Sequence, residues 1–106
     1  MINKKLRDMV KGWFVGNFEP TAHCTDAVEV AYKEYDAGAV DARHYHKIAT
    51  ETTLIIFGEV SINGTTYGAG DIIVVNPNEI IEFIAITNTG LVAVKVPGVS
   101  NDKYLV

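Results

Sequence analysis

Apolar and polar residues alternate in short runs along most of this chain, and Gly, Asn and Pro break the runs, so the pattern predicts many short β-strands. Between residues 28 and 35, Val28, Val30 and Tyr32 fall on one face and Glu29, Lys33 and Tyr35 on the other, which predicts a half-buried strand. Residues 44–46 continue the sheet after a turn at Asp36 to Gly38, and further strands are predicted over 52–57, 59–62, 72–75, 80–86 and 91–96. Asn63-Gly64 is the strongest hairpin signal, since both central positions of a type I′ turn need positive φ. Asn76-Pro77-Asn78 and Asn88-Thr89-Gly90 separate the later strands. Gly12 to Gly16 reads as a first strand or an arm that packs Trp13 and Phe14 onto the rest, residues 17–26 as loop around Pro20, and residues 2–10 as a short helical turn or arm. No repeat, linker or low-complexity stretch interrupts the series, which predicts an all-β barrel or sandwich.

At 106 residues and 11.6 kDa the chain has the size of one domain. Its 48% hydrophobic content and mean hydropathy of +0.14 exceed what one small core needs, so strands covered on both faces and a homodimer interface are expected. A formal charge of −4 and a pI near 5.2 argue against nucleic acid or an anionic membrane as partner. The single cysteine, Cys24, cannot close an intrachain disulfide and reads as an idle or buried thiol in a reducing compartment. No apolar run reaches membrane-spanning length and the first residues lack the apolar core of a signal peptide, so a cytoplasmic address is expected. Nucleophilic chemistry has no support, since there is no Gly-x-Ser-x-Gly elbow, and Gly68-Ala69-Gly70 resembles a nucleotide-binding fingerprint only superficially, because a strand instead of a helix follows it.

The informative chemistry lies between Gly38 and Gly58. His44 and His46, two residues apart on one strand, project from the same face, with Tyr45 and Lys47 on the other, and Glu51 follows closely. Two imidazoles and a carboxylate that share one patch are a candidate metal site; core or surface histidines bonded to backbone carbonyls are the plain alternative. Tyr32, Tyr35, Arg43, Lys47 and Lys95 are weaker candidates for substrate contacts, each more commonly a strand-surface residue.

Glycine, five residues, His-x-His, four residues, Glu, six residues, glycine, here Gly38, His44, His46, Glu51 and Gly58, resembles the first motif of the cupin superfamily at every fixed position. The resemblance implies a cupin-type double-stranded β-helix, a jelly-roll barrel. It makes residues 1–106 a single cupin domain, with 1–16 as an N-terminal arm, 27–97 as the barrel and 98–106 as a C-terminal tail. It also implies that His44, His46 and Glu51 are three of four ligands to a divalent metal.

The second cupin motif, glycine, five residues, Pro-x-Gly, two residues, histidine, three residues, asparagine, is altered. Six residues separate Gly70 from Pro77, and Glu79 and Ile86 replace the expected glycine and asparagine. Counted from Pro77 the ligand position falls on Glu82; counted from Gly70 it falls on Ile81. A one-residue slip reverses every side chain of a strand, so only one count can hold. Glu82 is favoured, because a bulge or longer loop absorbs the extra residue and because Ile80, Ile84 and Ile86 make its face oily, where a lone carboxylate is costly unless it binds a metal. The opposite face, with Ile81, Phe83 and Ala85, is also apolar; a wet, unliganded Glu82 at the barrel mouth is the alternative.

Two histidines and two carboxylates would neutralise one divalent transition metal per chain, with manganese (Mn), iron (Fe), zinc (Zn) and nickel (Ni) all compatible. Three function classes follow. The resemblance to short cupins of sugar metabolism implies an isomerase- or epimerase-type enzyme on a sugar or nucleotide-sugar metabolite. A non-catalytic ligand- or metal-binding module and an iron-dependent dioxygenase are the alternatives.

Overall fold

Asn63 and Gly64 adopt φ of 52° and 83°, the turn that their sequence predicts, and close a hairpin in which Ile62 faces Thr65. The computed structural model describes residues 1–106 and contains a 3-10 turn at Leu6–Asp8 and ten strands. These are β1 Trp13–Val15, β2 Glu29–Tyr35, β3 Val40–His46, β4 Thr50–Phe57, β5 Glu59–Ile62, β6 Thr65–Gly68, β7 Ile72–Val75, β8 Ile81–Ala85, β9 Thr89–Val96 and β10 Lys103–Leu105.

The strands form two five-stranded antiparallel sheets, ordered β1-β2-β9-β4-β7 and β10-β3-β8-β5-β6. Ile55, Val60, Phe83, Ala85, Leu91 and Ala93 make the packed core, drawn from the facing sides of both sheets. Phe83, Leu91 and Ala93 also border an interior cavity of about 590 Å³.

Two features decide what lines that cavity. On β2 the inward residues are Glu29, Ala31, Lys33 and Tyr35, while Val30 and Tyr32 face out. Alternation defined the two faces, and the polar one turned inward; small Ala31 stands beside small Ala93 of β9 in the interior. On β3 a bulge falls between Asp41 and His44, which pair with Phe83 and Ile81 of β8. Three residues would otherwise put Asp41 and His44 on opposite faces; the extra residue sets both against the cavity.

The C-terminal segment, expected as a tail, supplies edge strand β10, with Lys103 opposite His46 and Leu105 opposite His44. Asp102 ties it down. Its carboxylate, 3% exposed, accepts hydrogen bonds from the backbone N–H groups of Lys47, Ile48 and Ala49 at 2.9 to 3.2 Å.

The outer face of the first sheet is apolar over four strands. Tyr32, Val92, Leu54 and Ile72 form one cross-strand row, and Val30, Val94, Thr52 and Val74 the next. Ile72 and Val74 are 65% and 53% exposed. Cys24 is exposed, so the buried alternative does not hold. No helix is long and apolar enough to cross a membrane.

Candidate functional site

His44 and His46 both point inward and are each 3% exposed, as the two-residue spacing predicts. Their ring centroids are 5.4 Å apart and the rings meet edge to face at 81°. His44 Nδ1 lies 2.7 Å from the Ala42 carbonyl oxygen. A carbonyl only accepts, so Nδ1 donates, and the neutral form of the ring has its lone pair on Nε2. His46 Nε2 is buried and has no hydrogen-bond partner. Burial pushes the His46 pKa down to about 4, with Lys95 and then His44 adding to the shift and Asp102 opposing it. The ring is therefore neutral near pH 7.

Glu51 lies on β4 directly opposite Lys95 of β9 and Val75 of β7, and it borders the same cavity. Glu82 does not. It is exposed on the outer face of β8, and its backbone N–H donates to Asn63 Oδ1 at 2.8 Å. Ile81 pairs with His44 and borders the cavity in its place. The expectation of Glu82 as fourth ligand is thus corrected, and the count from Gly70 holds.

Strand parity explains the outcome. The inward choice buries Phe83 and Ala85, and the Phe83 ring meets the Tyr35 ring at 4.8 Å between centroids. Reversing it would expose Phe83, forgoing roughly 2 to 3 kcal/mol of burial, and would bury an unpaired carboxylate. The other face of β8, with Ile80, Ile84 and Ile86, is also apolar in sequence, but it is open enough to solvent to leave Glu82 exposed.

Without Glu82, the remaining donors do not gather: no group of three or more His, Cys, Asp or Glu side chains is placed to hold a metal ion. The two imidazole Nε2 atoms are suited to coordination, one by its tautomer and one by lacking any partner. Ile81 offers nothing to complete the set. The residues therefore do not fit a resident four-ligand metal.

The sequence did not single out Glu29, Lys33, Asp41 or Asp102, all of which border the cavity. Glu29 is buried and its carboxyl pKa is raised by desolvation, against the pull of Lys95. Lys33 is half-buried, and desolvation lowers its pKa. Burial, reinforced by Asp41 and Glu51, pushes the Tyr35 hydroxyl up to about 12, so it is a hydrogen-bond donor throughout the physiological range. The available signal was the shared face of Glu29, Lys33 and Tyr35, whose polarity pointed to solvent instead of a wet interior. Among the weaker candidates, Tyr35 and Lys95 border the cavity, whereas Tyr32, Arg43 and Lys47 do not.

Trp13 reaches the cavity because β1 pairs antiparallel with β2 and sets Trp13 opposite the inward Ala31. Gly12 has φ of +83°, its carbonyl accepts from Tyr32 N–H at 3.1 Å, and a side chain there would collide with the Tyr32 carbonyl. The Trp13 ring carries two ammonium groups, Lys33 Nζ at 5.0 Å and Lys95 Nζ at 4.9 Å from its centroid.

Known structures share this arrangement of strands. A Klebsiella pneumoniae protein with a double-stranded β-helix domain is 26% identical, with a TM-score of 0.70 over 76% of this chain and 71% of that one. An RmlC-like cupin from Shewanella frigidimarina is 22% identical, with a TM-score of 0.64 over 74% and 72%. The fold is that of the cupins. Pac13, a Streptomyces nucleoside dehydratase, is a further cupin-fold neighbour, 18% identical with a TM-score of 0.69 over 77% of this chain and 70% of that one. No protein-family model and no curated protein matches the sequence. Within this cupin fold, His44 and His46 border the cavity, and the position that pairs with His44 on β8 is the apolar Ile81.

Proposed function

We propose that this cupin binds a small polar metabolite inside its barrel and moves a proton on it, in the manner of a sugar isomerase or epimerase, with His46 exchanging the proton. The buried, unpartnered Nε2 of His46 carries the reading. An orphaned buried nitrogen costs on the order of 1 to 3 kcal/mol, and a ligand hydroxyl or an acidic C–H placed against it would remove that cost. A neutral imidazole accepts a proton, and His44 Nε2 presents a second lone pair beside it. The neutral Tyr35 hydroxyl supplies a donor on the same cavity. Leu91, Ala93 and Phe83 supply apolar lining to the same cavity. Variants of Pac13 have been seen with uridine, which supports a small-molecule ligand here by analogy of fold.

No step of this reading passes through manganese, iron, zinc or nickel, because the donors do not gather. For the same reason the iron-dependent dioxygenase reading loses its ligand set. The test is a screen of sugar phosphates, nucleotide sugars and nucleosides in deuterium oxide, with NMR detection of deuterium at carbon. Exchange that disappears in His46→Gln supports the enzyme. A bound ligand without exchange would replace it with the non-catalytic binding module.

The second partner is another copy of this chain, placed on the outer face of the first sheet. The two central rows of that face carry no charged residue, so an identical face covers them without burying an unpaired charge.

A further inference from the structure

The cavity holds two ammonium groups, of Lys33 and Lys95, that close no ion pair. Neither Nζ donates a hydrogen bond to the protein, whereas Lys103 beside them is bound to Asp41 at 3.0 Å. Glu29 and Glu51 stand on either side of Lys95 in the strand register, and both remain beyond ion-pairing distance. The two lysines extend instead over the indole of Trp13. A ring face attracts a cation but accepts none of its N–H hydrogens in the manner of an oxygen, and it does nothing to offset the repulsion between two like charges.

Burial makes the arrangement costlier. Lys33 is half-buried and its charged form is disfavoured by desolvation, a cost that Asp41 and Glu51 offset only through space. An anionic oxygen group within reach of both ammoniums would accept several of their hydrogens and offset their repulsion. Lys33, Lys95, His44 and His46 line one cavity, so such a group would share it with the histidine pair.

We propose that Lys33 and Lys95, backed by Trp13, clamp a carboxylate or phosphate group of the ligand while the remainder of that ligand extends toward His46. The clamp deepens the proposed function and rests on its ligand site. It assigns the substrate class as a small anionic metabolite, carboxylated or phosphorylated.

Trp13 is the chain's one tryptophan, so its fluorescence reports on the clamp alone. The probes are inorganic phosphate, malonate and the neutral nucleoside uridine, titrated into the full chain at low and high salt. Saturable change in Trp13 emission with phosphate or malonate, weakened about tenfold or more in Lys33→Gln and in Lys95→Gln and by salt, is the expected result. Phosphate and malonate, compared with each other, tell the phosphorylated from the carboxylated source. Lys33→Arg, which keeps the charge, retains binding and separates the clamp from a fold defect, as do matched thermal melts.

Unchanged emission with both anions would overturn the clamp, as would equal affinity in wild type and both Gln variants. The two proposals fail separately. Uridine or another neutral ligand exchanging deuterium through His46, with no dependence on Lys33 or Lys95, removes the clamp and leaves proton transfer standing. Lysine-dependent anion binding with no exchange on any substrate does the reverse.

Discussion

Glu51 and Lys95 stand directly opposite each other on β4 and β9, and no ion pair closes between them. The Lys95 ammonium lies 4.9 Å from the Trp13 centroid instead, and its charge lowers the pKa of His46 and of Glu29. Removing that charge therefore releases both groups upward. Lys95→Met is expected to raise the His46 pKa, read from the imidazole C–H resonances in an NMR titration. Stability should change by less than about 1 kcal/mol, because no closed ion pair is lost. An unmoved His46 titration would show that Lys95 does not act on the ring.

Stability should depend on pH through the same imidazole. The folded pKa of His46 is about 4 against an ordinary value of 6.5, so between those limits the unfolded chain binds more protons than the folded one. Stability is then fully present above the unfolded value and falls as pH drops from about 6.5 toward 4. The ceiling on this contribution is on the order of 3 kcal/mol. Denaturant melts across the window should show His46→Gln losing part of the acid slope that wild type displays. Parallel slopes in the two proteins would remove His46 as the cause.

Glu82 and Phe83 are neighbours with opposite fates, and their substitutions should separate accordingly. Glu82→Ala changes an exposed side chain and is expected to alter stability by no more than about 0.5 kcal/mol. Phe83→Ala empties a core position that is 7% exposed and is expected to cost about 3 to 5 kcal/mol. Manganese, iron, zinc or nickel should shift the thermal midpoint of wild type and Glu82→Ala equally. A metal-induced rise in Tm that Glu82→Ala abolishes would restore Glu82 as a ligand.

The same pair shows how far the sequence could be read. The inward histidines were legible because two residues on one strand share a face whatever the partner strand does. The Asn63-Gly64 hairpin was legible because its requirement for positive φ is local. Glu82 was misplaced because β8 is apolar on both faces, so only the partner across the sheet, where Ile81 pairs with His44, decides which face turns inward. Glu29 and Lys33 escaped notice for a related reason. A polar strand face signals water, and here the water-like surroundings lie inside the barrel. Asp41 joined them through a bulge that has no sequence signal, and Asp102 through contacts made more than fifty residues away.

Asp102 is a fixed point for the site. Its carboxylate ties three consecutive backbone N–H groups that immediately follow His46. Desolvation alone would raise its pKa; the hydrogen bonds from Ala49, Ile48 and Lys47 outweigh that and hold it below the usual range. Asp102→Ala strands those donors and is expected to cost about 2 to 4 kcal/mol, while Asp102→Asn, which keeps one acceptor oxygen, should cost less. Hydrogen exchange gives the local check: the Ile48 and Ala49 amides should lose protection in Asp102→Ala. Unchanged protection would mean that the turn holds without the carboxylate.

Assembly is the last expectation, and it follows from the outer face of the first sheet. Two rows of that face, from Tyr32 to Ile72 and from Val30 to Val74, contain only apolar residues apart from the Tyr32 and Thr52 hydroxyls. In a two-fold dimer each row would meet its own copy, so one substitution enters the interface twice. Ile72, 65% exposed in the single chain, lies at the open end of its row. Its replacement by Lys would set two ammonium groups within an apolar contact while leaving the barrel interior untouched. Sedimentation should give about twice the 11.6 kDa chain mass for wild type at micromolar concentration, and the single-chain mass for Ile72→Lys. A wild-type species at 11.6 kDa would leave this face without a second copy to cover it.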